Sequence, residues 1–478
     1  MQIKNLFNNI AKDIGEIQIN SLSFDSREVT SGGLFFCLVG GDSDGHDFSV
    51  AAQKNGAVAI VASRQTASSL PHIIFKDTRS ALGGAASKFY GEPYKKLKMI
   101  GITGTNGKTT TTYIVQSILK AAKKKVGLIG TTAIMIGDKR YDTKLTTPDP
   151  IDFHSTLARM VDEGIEYLVM EVSAHALALR KMEGVKFDVA AFTNLSRDHL
   201  DFFGTMENYF NAKNQLFTKE LAKHAILNAD DTWVSKTIND CPIPFTTFGA
   251  INPADIFAID LSMSAGGLKY ILNLKDNIRE IKFNMPGKFN MYNTLCAAAI
   301  CFQLKISLKS IVDGIRNVVK VDGRFQIINT SKCSIIVDFA HTDDGLKNIL
   351  STIKEFAPKR IITVFGCGGD RDKTKRPVMG NIVSEMSDFF YITSDNPRTE
   401  KPENIMSDIE KGVSENKKSA YKMIADRKLA IKQAVEFAED GDIVLVAGKG
   451  AEPYMEIGKT KIPYSDEEYI LGLVGDMA

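Results

Sequence analysis

The chain has 478 residues, 44% of them hydrophobic and 24% charged, which is the composition of a globular protein long enough for about three domains at roughly 150 residues each. Its 59 Lys and Arg against 57 Asp and Glu leave a formal charge of +2, so bulk charge gives no support to attraction to nucleic acid or to an anionic membrane, and only a local basic pocket stays open. No basic-then-apolar leader or bilayer-length apolar run occurs, and the six cysteines form no CxxC pair; a cytoplasmic protein with no membrane span, no zinc site and thiols serving as small core residues is expected.

Residues 1–95 hold short strands and glycine-rich turns, as in SGGLFFCLVGGDSDGHDF, followed by the apolar run AVAIVAS. The polar, proline-containing GEPYKKLK reads as a linker. From Met99 the pattern alternates: apolar runs KMIGITG, KVGLIGT, EYLVMEVS and VAAFTNLS are separated by helical periodicities, the first being KTTTTYIVQSILKAAKK. That alternation predicts an α/β domain with a mainly parallel sheet over residues 96–326, closed by the helices NMYNTLCAAAICFQL and LKSIVDGIRNVV. Residues 327–478 repeat the alternation in SIIVDFAH, RIITVFGCGG, DFFYITSDN and DIVLVAGKG, a second α/β unit of doubly wound type. Ligands of such sheets bind beyond the carboxyl ends of the strands, and every polar motif below falls at such an end.

GITGTNGKTTTTYIV places a glycine-rich turn between a strand and a helix. Backbone N–H groups in such a turn cradle phosphate oxygens; Lys108 adds a mobile charge and Thr109 a hydroxyl for magnesium. The spacing departs from the usual GxxxxGK[ST], with Ile102 where the first glycine belongs. Nucleoside triphosphate binding follows, but kinases, switches, motors and ligases all use this loop.

Glu171 ends the apolar strand of YLVMEVSAH and is placed to hold magnesium opposite the loop. His199 follows another strand end between Asp198 and Asp201. In MENYFNAKNQLF, Lys213 falls within the stripe formed by Tyr209, Phe210, Leu216 and Phe217. A lysine there must snorkel, pair with an acid or lose its charge; conversion to a carbamate would make it an anion able to bind magnesium. SDNPRTE, residues 394–400, reads first as a turn, because Asp, Asn and Pro shape the backbone. Arg398 at its end offers a planar fork for a carboxylate.

GTNGKTTT, EVSAHAL, FTNLSRDHLDFFGT, YFNAKNQLF, GKFNMYNTLCA, VDFAHTDDGL, GCGGDRDKTKRPVMG, SDNPRTE and AGKGAE stand in the order found in the Mur ligases. The chain resembles that family over nearly its whole length, and most closely the branch adding the third residue of the peptidoglycan stem peptide. The resemblance implies three α/β domains: UDP-binding (1–95), P-loop ATPase (96–326) and Rossmann-like, amino-acid-binding (327–478). It implies that ATP and Mg2+ drive addition of meso-diaminopimelate to UDP-N-acetylmuramoyl-L-alanyl-D-glutamate through an acyl phosphate, by a monomer.

Carried over by position, Gly104, Thr105, Asn106, Gly107, Lys108, Thr109, Thr110, Asn293 and Arg324 are implied to bind ATP. Glu171, His199 and Lys213 as a carbamate would hold the metal with Thr109, and with Lys108 carry catalysis. Phe24, Ser26, Gly41, Asp42 and Ser43 would meet the UDP moiety, and Thr146, Thr147, Ser173 and Lys181 the muramoyl-dipeptide. Asp338 and His341 would lie near the nucleotide. Arg371, Asp395, Asn396, Pro397, Arg398, Gly448 and Glu452 would receive diaminopimelate, with Arg398 on its far carboxylate and Asp395 and Asn396 meeting its distal ammonium. Five positions depart from the family's pattern: Lys181 stands for Arg, Asp322 for Pro, Phe339 for Tyr, Asp343 for Pro and Ala451 for His.

Three other readings compete. The same ligase using L-lysine would be favoured by a small residue in place of Arg398. A folylpolyglutamate synthase does not account for the DSR and GGDSDG turns. A P-loop switch or binding protein without ligase activity does not account for a third α/β unit with Arg371 and Arg398 at strand ends.

Overall fold

A computed structural model describes residues 1–477 apart from Asp42 and Ala357. The first sheet is parallel, formed by β1 (Ser21–Ser23), β2 (Gly33–Phe36), β3 (Ala57–Ala62) and β4 (His72–Ile74) in that spatial order. Leu34, Phe36, Ala59 and Val61 turn one face against the helix Thr78–Phe89, whose Asp77 caps the amides of Arg79 and Ser80.

The central sheet follows in chain order with β5 (Lys98–Thr103), β6 (Val126–Ile129), β7 (Ile134–Ile136), β8 (Lys139–Tyr141), β9 (Tyr167–Glu171), β10 (Val189–Phe192), β11 (Ala225–Asn228), β12 (Phe245–Gly249), β13 (Ile256–Ser264), β14 (Gly267–Leu274) and β15 (Asn277–Phe283). Their spatial order is β15-β14-β13-β12-β11-β10-β5-β9-β6-β7-β8. The middle, from β13 to β6, is parallel; both ends are antiparallel hairpins. The helix Lys108–Ala121 buries Ile114, Val115, Ile118 and Leu119, a stripe at helical spacing, and packs on Lys288–Gln303 and Leu308–Arg316. Both of those helices are where the sequence places them; the β13–β15 meander is not foreseen by it.

The third sheet contains β16 (Gln326–Asn329), β17 (Ser334–Asp338), β18 (Ile361–Phe365), β19 (Phe389–Thr393), β20 (Tyr421–Ile424) and β21 (Ile443–Ala447), ordered β16-β17-β21-β18-β19-β20. It is parallel apart from β16. Alternate strand residues face opposite cores: Ile336, Phe365, Phe390 and Leu445 on one side, Val337, Val364, Tyr391 and Val446 on the other, the latter covered by Arg427–Phe437. A small hairpin, β22 (Tyr454–Ile457) and β23 (Thr460–Pro463), flanks the sheet. The apolar core runs unbroken from the central domain through Val321 and Phe325 into Ile336 and Leu346, so the second and third sheets are packed together. The cysteines are free thiols: Cys37, Cys296, Cys301, Cys333 and Cys367 are buried and Cys241 is partly so. No helix among the described residues is long and apolar enough to cross a membrane.

Candidate active site

β5 ends at Thr103 and the glycine-rich loop follows before the helix opening at Lys108. Gly104 sits at φ +147°, where a Cβ would overlap Thr193 Oγ1 at the end of β10, so only glycine lets the loop pass this close. The loop is pinned from that side. Asn106 N donates to Asn194 Oδ1 (2.9 Å), Asn194 Nδ2 donates to Asn106 O (3.0 Å), and Thr193 Oγ1 donates to Asn106 O (2.7 Å). Lys108 Nζ folds back onto the carbonyls of Gly104 (2.8 Å) and Thr105 (2.9 Å).

A cavity of about 530 Å³ opens over this loop. Its wall includes Thr105, Asn106, Gly107, Lys108, Thr109 and Thr110 from the loop, and Thr146, Glu171, Ser173, His199, Asn293 and Arg324 from around it. Asp338 and His341, from the end of β17, complete the wall from the third domain. Gly104 lies behind the wall and contributes its carbonyl, to which Lys108 and Lys213 both donate.

Glu171 is 1% exposed and is fixed on three sides. Its Oε1 accepts from Thr109 Oγ1 (3.0 Å) and Thr131 N (2.8 Å), and its Oε2 from Thr131 Oγ1 (3.1 Å). Arg324 Nη2 donates to Thr109 Oγ1 (3.0 Å), and the guanidinium stacks 4.4 Å over Phe339, one of the departures from the family pattern. Thr147 is buried beneath the wall: its hydroxyl donates to Glu171 O (3.0 Å) and accepts from Ser173 N (3.0 Å). Lys181 pairs with Asp149 at 2.8 Å.

Lys213 is 1% exposed and makes no ion pair among the described residues. Its Nζ donates to Gly104 O (2.8 Å) and lies 4.5 Å over the Tyr209 ring. Of the three outcomes open to a lysine in an apolar stripe, snorkelling and pairing are therefore not adopted. Burial first, then the charge of Lys108, pushes its ammonium well below the usual lysine range. His199 is held down to about 3, chiefly by burial and against the pull of Asp198. It also packs edge-on against His175, 4.7 Å between ring centres.

A second constellation occupies the strand ends of the third domain. Arg371 and Arg398 flank Gly368: a Cβ there would meet Arg398 Nη1 at 2.9 Å and Arg371 Cγ at 3.7 Å. Arg398 has φ +51°, rare for a non-glycine residue. Its Nε donates to Glu456 Oε2 (2.9 Å) and its Nη1 to Gly369 O (2.7 Å), which leaves one Nη1 proton and Nη2 without a partner among the described residues. The oxygen by which the sequence expects Asn396 to meet an ammonium is engaged within the protein: Asn396 Oδ1 accepts from Lys449 Nζ and from Glu456 N, both at 2.9 Å. Asn396 Nδ2 donates to Glu452 Oε2 (2.9 Å). Asp395 is buried beside Gly448; burial opposes its ionisation, but Lys449 and Arg427 outweigh it and hold the carboxyl below its ordinary range. Pro397 sets the backbone between Asn396 and Arg398, and its carbonyl presses against Gly369.

Phe24, Ser26, Gly41 and Ser43 belong to the first domain and do not line the 530 Å³ cavity. Ser26 is buried and its carbonyl accepts from Asn55 Nδ2 (2.8 Å), while Gly41 and Ser43 are exposed in the turn after β2. Asp42 lies outside the described residues.

Sequence reasoning gave no role to four residues that organise the site: Asp198, Lys375, Arg376 and Lys449. Asp198 faces His199 (3.2 Å), Lys375 (3.6 Å) and His341 (3.8 Å), the last two from the third domain. Arg376, fully buried, holds Glu400 (2.8 Å) and Asp408 (3.0 Å) and so clamps the SDNPRTE turn. Lys449 holds Asn396 and Glu452. Only the proximity of Asp198 to His199 carried any signal in the sequence.

Three family profiles match successive stretches of the chain: "Mur ligase family, catalytic domain" over residues 18–90, "Mur ligase middle domain" over 102–301 and "Mur ligase, glutamate ligase domain" over 323–450. The chain belongs to the Mur ligase family, with its three-domain α/β architecture. It is 43% identical over 460 residues to the UDP-N-acetylmuramoyl-L-alanyl-D-glutamate--2,6-diaminopimelate ligase of Geobacillus thermodenitrificans, covering 95% of this chain and 94% of that one. It is 42% identical over 467 residues to ligase 1 of the same name from Clostridium acetobutylicum, covering 96% of each. A solved structure of a UDP-N-acetylmuramoyl-L-alanyl-D-glutamate--2,6-diaminopimelate ligase superposes over 100% of this chain and 99% of that one, with a TM-score of 0.72 and 30% identity.

Proposed function

We propose that this chain is an ATP-dependent amide ligase that adds meso-diaminopimelate to UDP-N-acetylmuramoyl-L-alanyl-D-glutamate in peptidoglycan biosynthesis, acting as a cytoplasmic monomer. The observation that carries the reading is the paired Arg371 and Arg398 at the strand ends of a third domain already docked on the phosphate-loop cavity. The names of the full-length relatives agree with it. Residues 1–95 then bind UDP, 96–326 bind ATP and 327–478 bind the amino acid.

A free carboxylate is a poor electrophile. Transfer of the γ-phosphoryl group to the dipeptide carboxylate releases ADP and gives an acyl phosphate; the unprotonated amine attacks its carbonyl carbon, and the C–O bond breaks to release inorganic phosphate as the nitrogen gives up a proton and the amide forms. The loop amides from Gly104 to Thr110 receive the phosphates, and Lys108, released from its two carbonyls, follows the charge that shifts during transfer. Asn293 and Arg324 contact the nucleotide. Phe24, Ser26, Gly41, Asp42 and Ser43 hold the UDP moiety, and Thr146, Thr147, Ser173 and Lys181 hold the dipeptide.

The residues fit a magnesium ion. Glu171, Thr109 and His199 line the cavity, and the buried amine of Lys213, behind it on the Gly104 carbonyl and short of any acid partner among the described residues, is suited to react with carbon dioxide, losing one proton to become an anionic carbamate. Magnesium bound there would neutralise phosphate charge. Water exclusion is the work of the third domain, since an acyl phosphate hydrolyses.

Phosphate release from ATP, measured with the UDP-dipeptide and with or without each amino acid, tests the reading. It should require both the dipeptide and meso-diaminopimelate. Release that ignores every amino acid would leave only the P-loop switch, and stimulation by L-lysine alone would assign the other ligase.

A further inference from the structure

Lys449 is an unusual lysine: its side chain is 0% exposed. Burying an ammonium costs several kcal/mol unless it is paired and hydrogen-bonded. Here Nζ donates to Glu452 Oε2 and to Asn396 Oδ1, each at 2.9 Å, and Tyr454 covers it with its ring centre 5.8 Å away. The glycines on either side make the inward turn of the side chain feasible. Gly448 (φ +116°) passes so close to Asp395 that a Cβ would lie 2.6 Å from its Oδ2, and Gly450 (φ +52°) so close to Phe339 that a Cβ would lie 2.9 Å from its Cβ.

The consequence falls on Asn396. Lys449 Nζ and Glu456 N can only donate, so the oxygen of the amide is the atom that faces them, and its acceptor capacity is filled. One Nδ2 proton goes to Glu452 Oε2. What Asn396 has left for a ligand is a single N–H. Glu452 Oε2 is filled by Asn396 and Lys449, while its Oε1 has no hydrogen bond among the described residues. These strand ends thus offer donors, Asn396 and the unengaged N–H groups of Arg398, together with one anionic acceptor, Glu452 Oε1.

We propose that Lys449 is a positioning residue that sets amino-acid selectivity: its buried charge fixes Asn396 as a donor and Glu452 as a one-oxygen acceptor, so the donor and acceptor set at these strand ends matches a side chain ending in a carboxylate and ammonium together. A side chain ending in an ammonium alone would satisfy Glu452 and leave the two donors facing a cation. The inference rests on the ligase reading above.

The test uses the full chain with ATP and the UDP-dipeptide saturating, and compares phosphate release against meso-diaminopimelate and against L-lysine. Lys449→Met keeps the length of the side chain and drops its charge. It should raise the KM for meso-diaminopimelate at least tenfold, hold the KM values for ATP and UDP-dipeptide within twofold, and lower the ratio of kcat/KM for diaminopimelate over lysine at least tenfold. If the single variant does not fold, Lys449→Met with Glu452→Gln leaves no unpaired buried charge; its diaminopimelate-to-lysine ratio should lie well below that of Glu452→Gln alone. A wild-type enzyme that ignores meso-diaminopimelate would overturn the ligase reading itself. A wild type that responds, with the ratio and KM unchanged by loss of Lys449, overturns only this role, as does a fall in kcat with all KM values unmoved.

Discussion

Lys213 shows how far one side chain can carry a functional reading. It was legible because it broke an apolar stripe, and the structure leaves it buried with, among the described residues, a single carbonyl acceptor. Lys213→Ala should lose at least about 100-fold in kcat, the scale on which deleting a transition-state charge is felt, and added formate or acetate should restore part of it; full activity in the variant would remove the carbamate from the account. His154 is a second buried base, in the helix Pro150–Asp162, and burial holds it down to about 4 from 6.5. A group depressed in this way protonates more readily in the unfolded chain. Stability is therefore full above pH 6.5 and declines as pH falls from 6.5 to about 4, by up to about 3 kcal/mol at 1.36 kcal/mol per unit. Denaturation curves at pH 7 and pH 4.5 should show a smaller difference for His154→Leu than for the wild type. Lys449 was not legible: GKG only closes the run DIVLVAGKG, and nothing local reveals that its lysine points inward.

At the scale of the element, the strand, loop and helix around Lys108 were readable because apolar run, glycine turn and helical stripe follow one another without interruption. What holds the loop in shape was not readable, since it comes from Thr193, Asn194 and Ser196 on the neighbouring strand end. Asn194→Ala removes both side-chain bonds to Asn106. It should raise the KM for ATP roughly tenfold, with kcat affected less, as expected when binding geometry is loosened rather than chemistry removed; titration of ATP by calorimetry checks it. The β13–β15 meander escaped notice for a different reason. β15 is exposed at its first four residues, with Ile278 60% exposed, so its alternation is too weak to declare a strand.

At the scale of the molecule, the third domain is docked on the second by contacts between residues far apart in sequence. Asn106 Nδ2 donates to Asp344 Oδ2 (2.9 Å), Arg197 pairs with Asp343 (3.0 Å), and Asp198 faces Lys375 and His341. Asp343 replaces the proline of the family pattern, so a departure noted in the sequence has an interdomain partner. No periodicity reports a contact of this range, which is why three domains could be read but their closure could not. Asp198 is buried, and salt screens it weakly. Asp198→Ala should uncouple Lys375 and His341, giving a larger radius of gyration by X-ray scattering and a kcat lower by about tenfold or more, the usual cost of misplaced reacting groups; an unchanged radius would show that the apolar core alone holds the domains.

The reaction and its substrate are tested together by one experiment. The full chain is given ATP, magnesium, the UDP-dipeptide and equal concentrations of meso-diaminopimelate and L-lysine, and the nucleotide-linked product is weighed by mass spectrometry. The expected product carries diaminopimelate, with lysine incorporated at a small fraction of that level. A product carrying lysine, or ATP consumed with no tripeptide formed, would contradict the assignment.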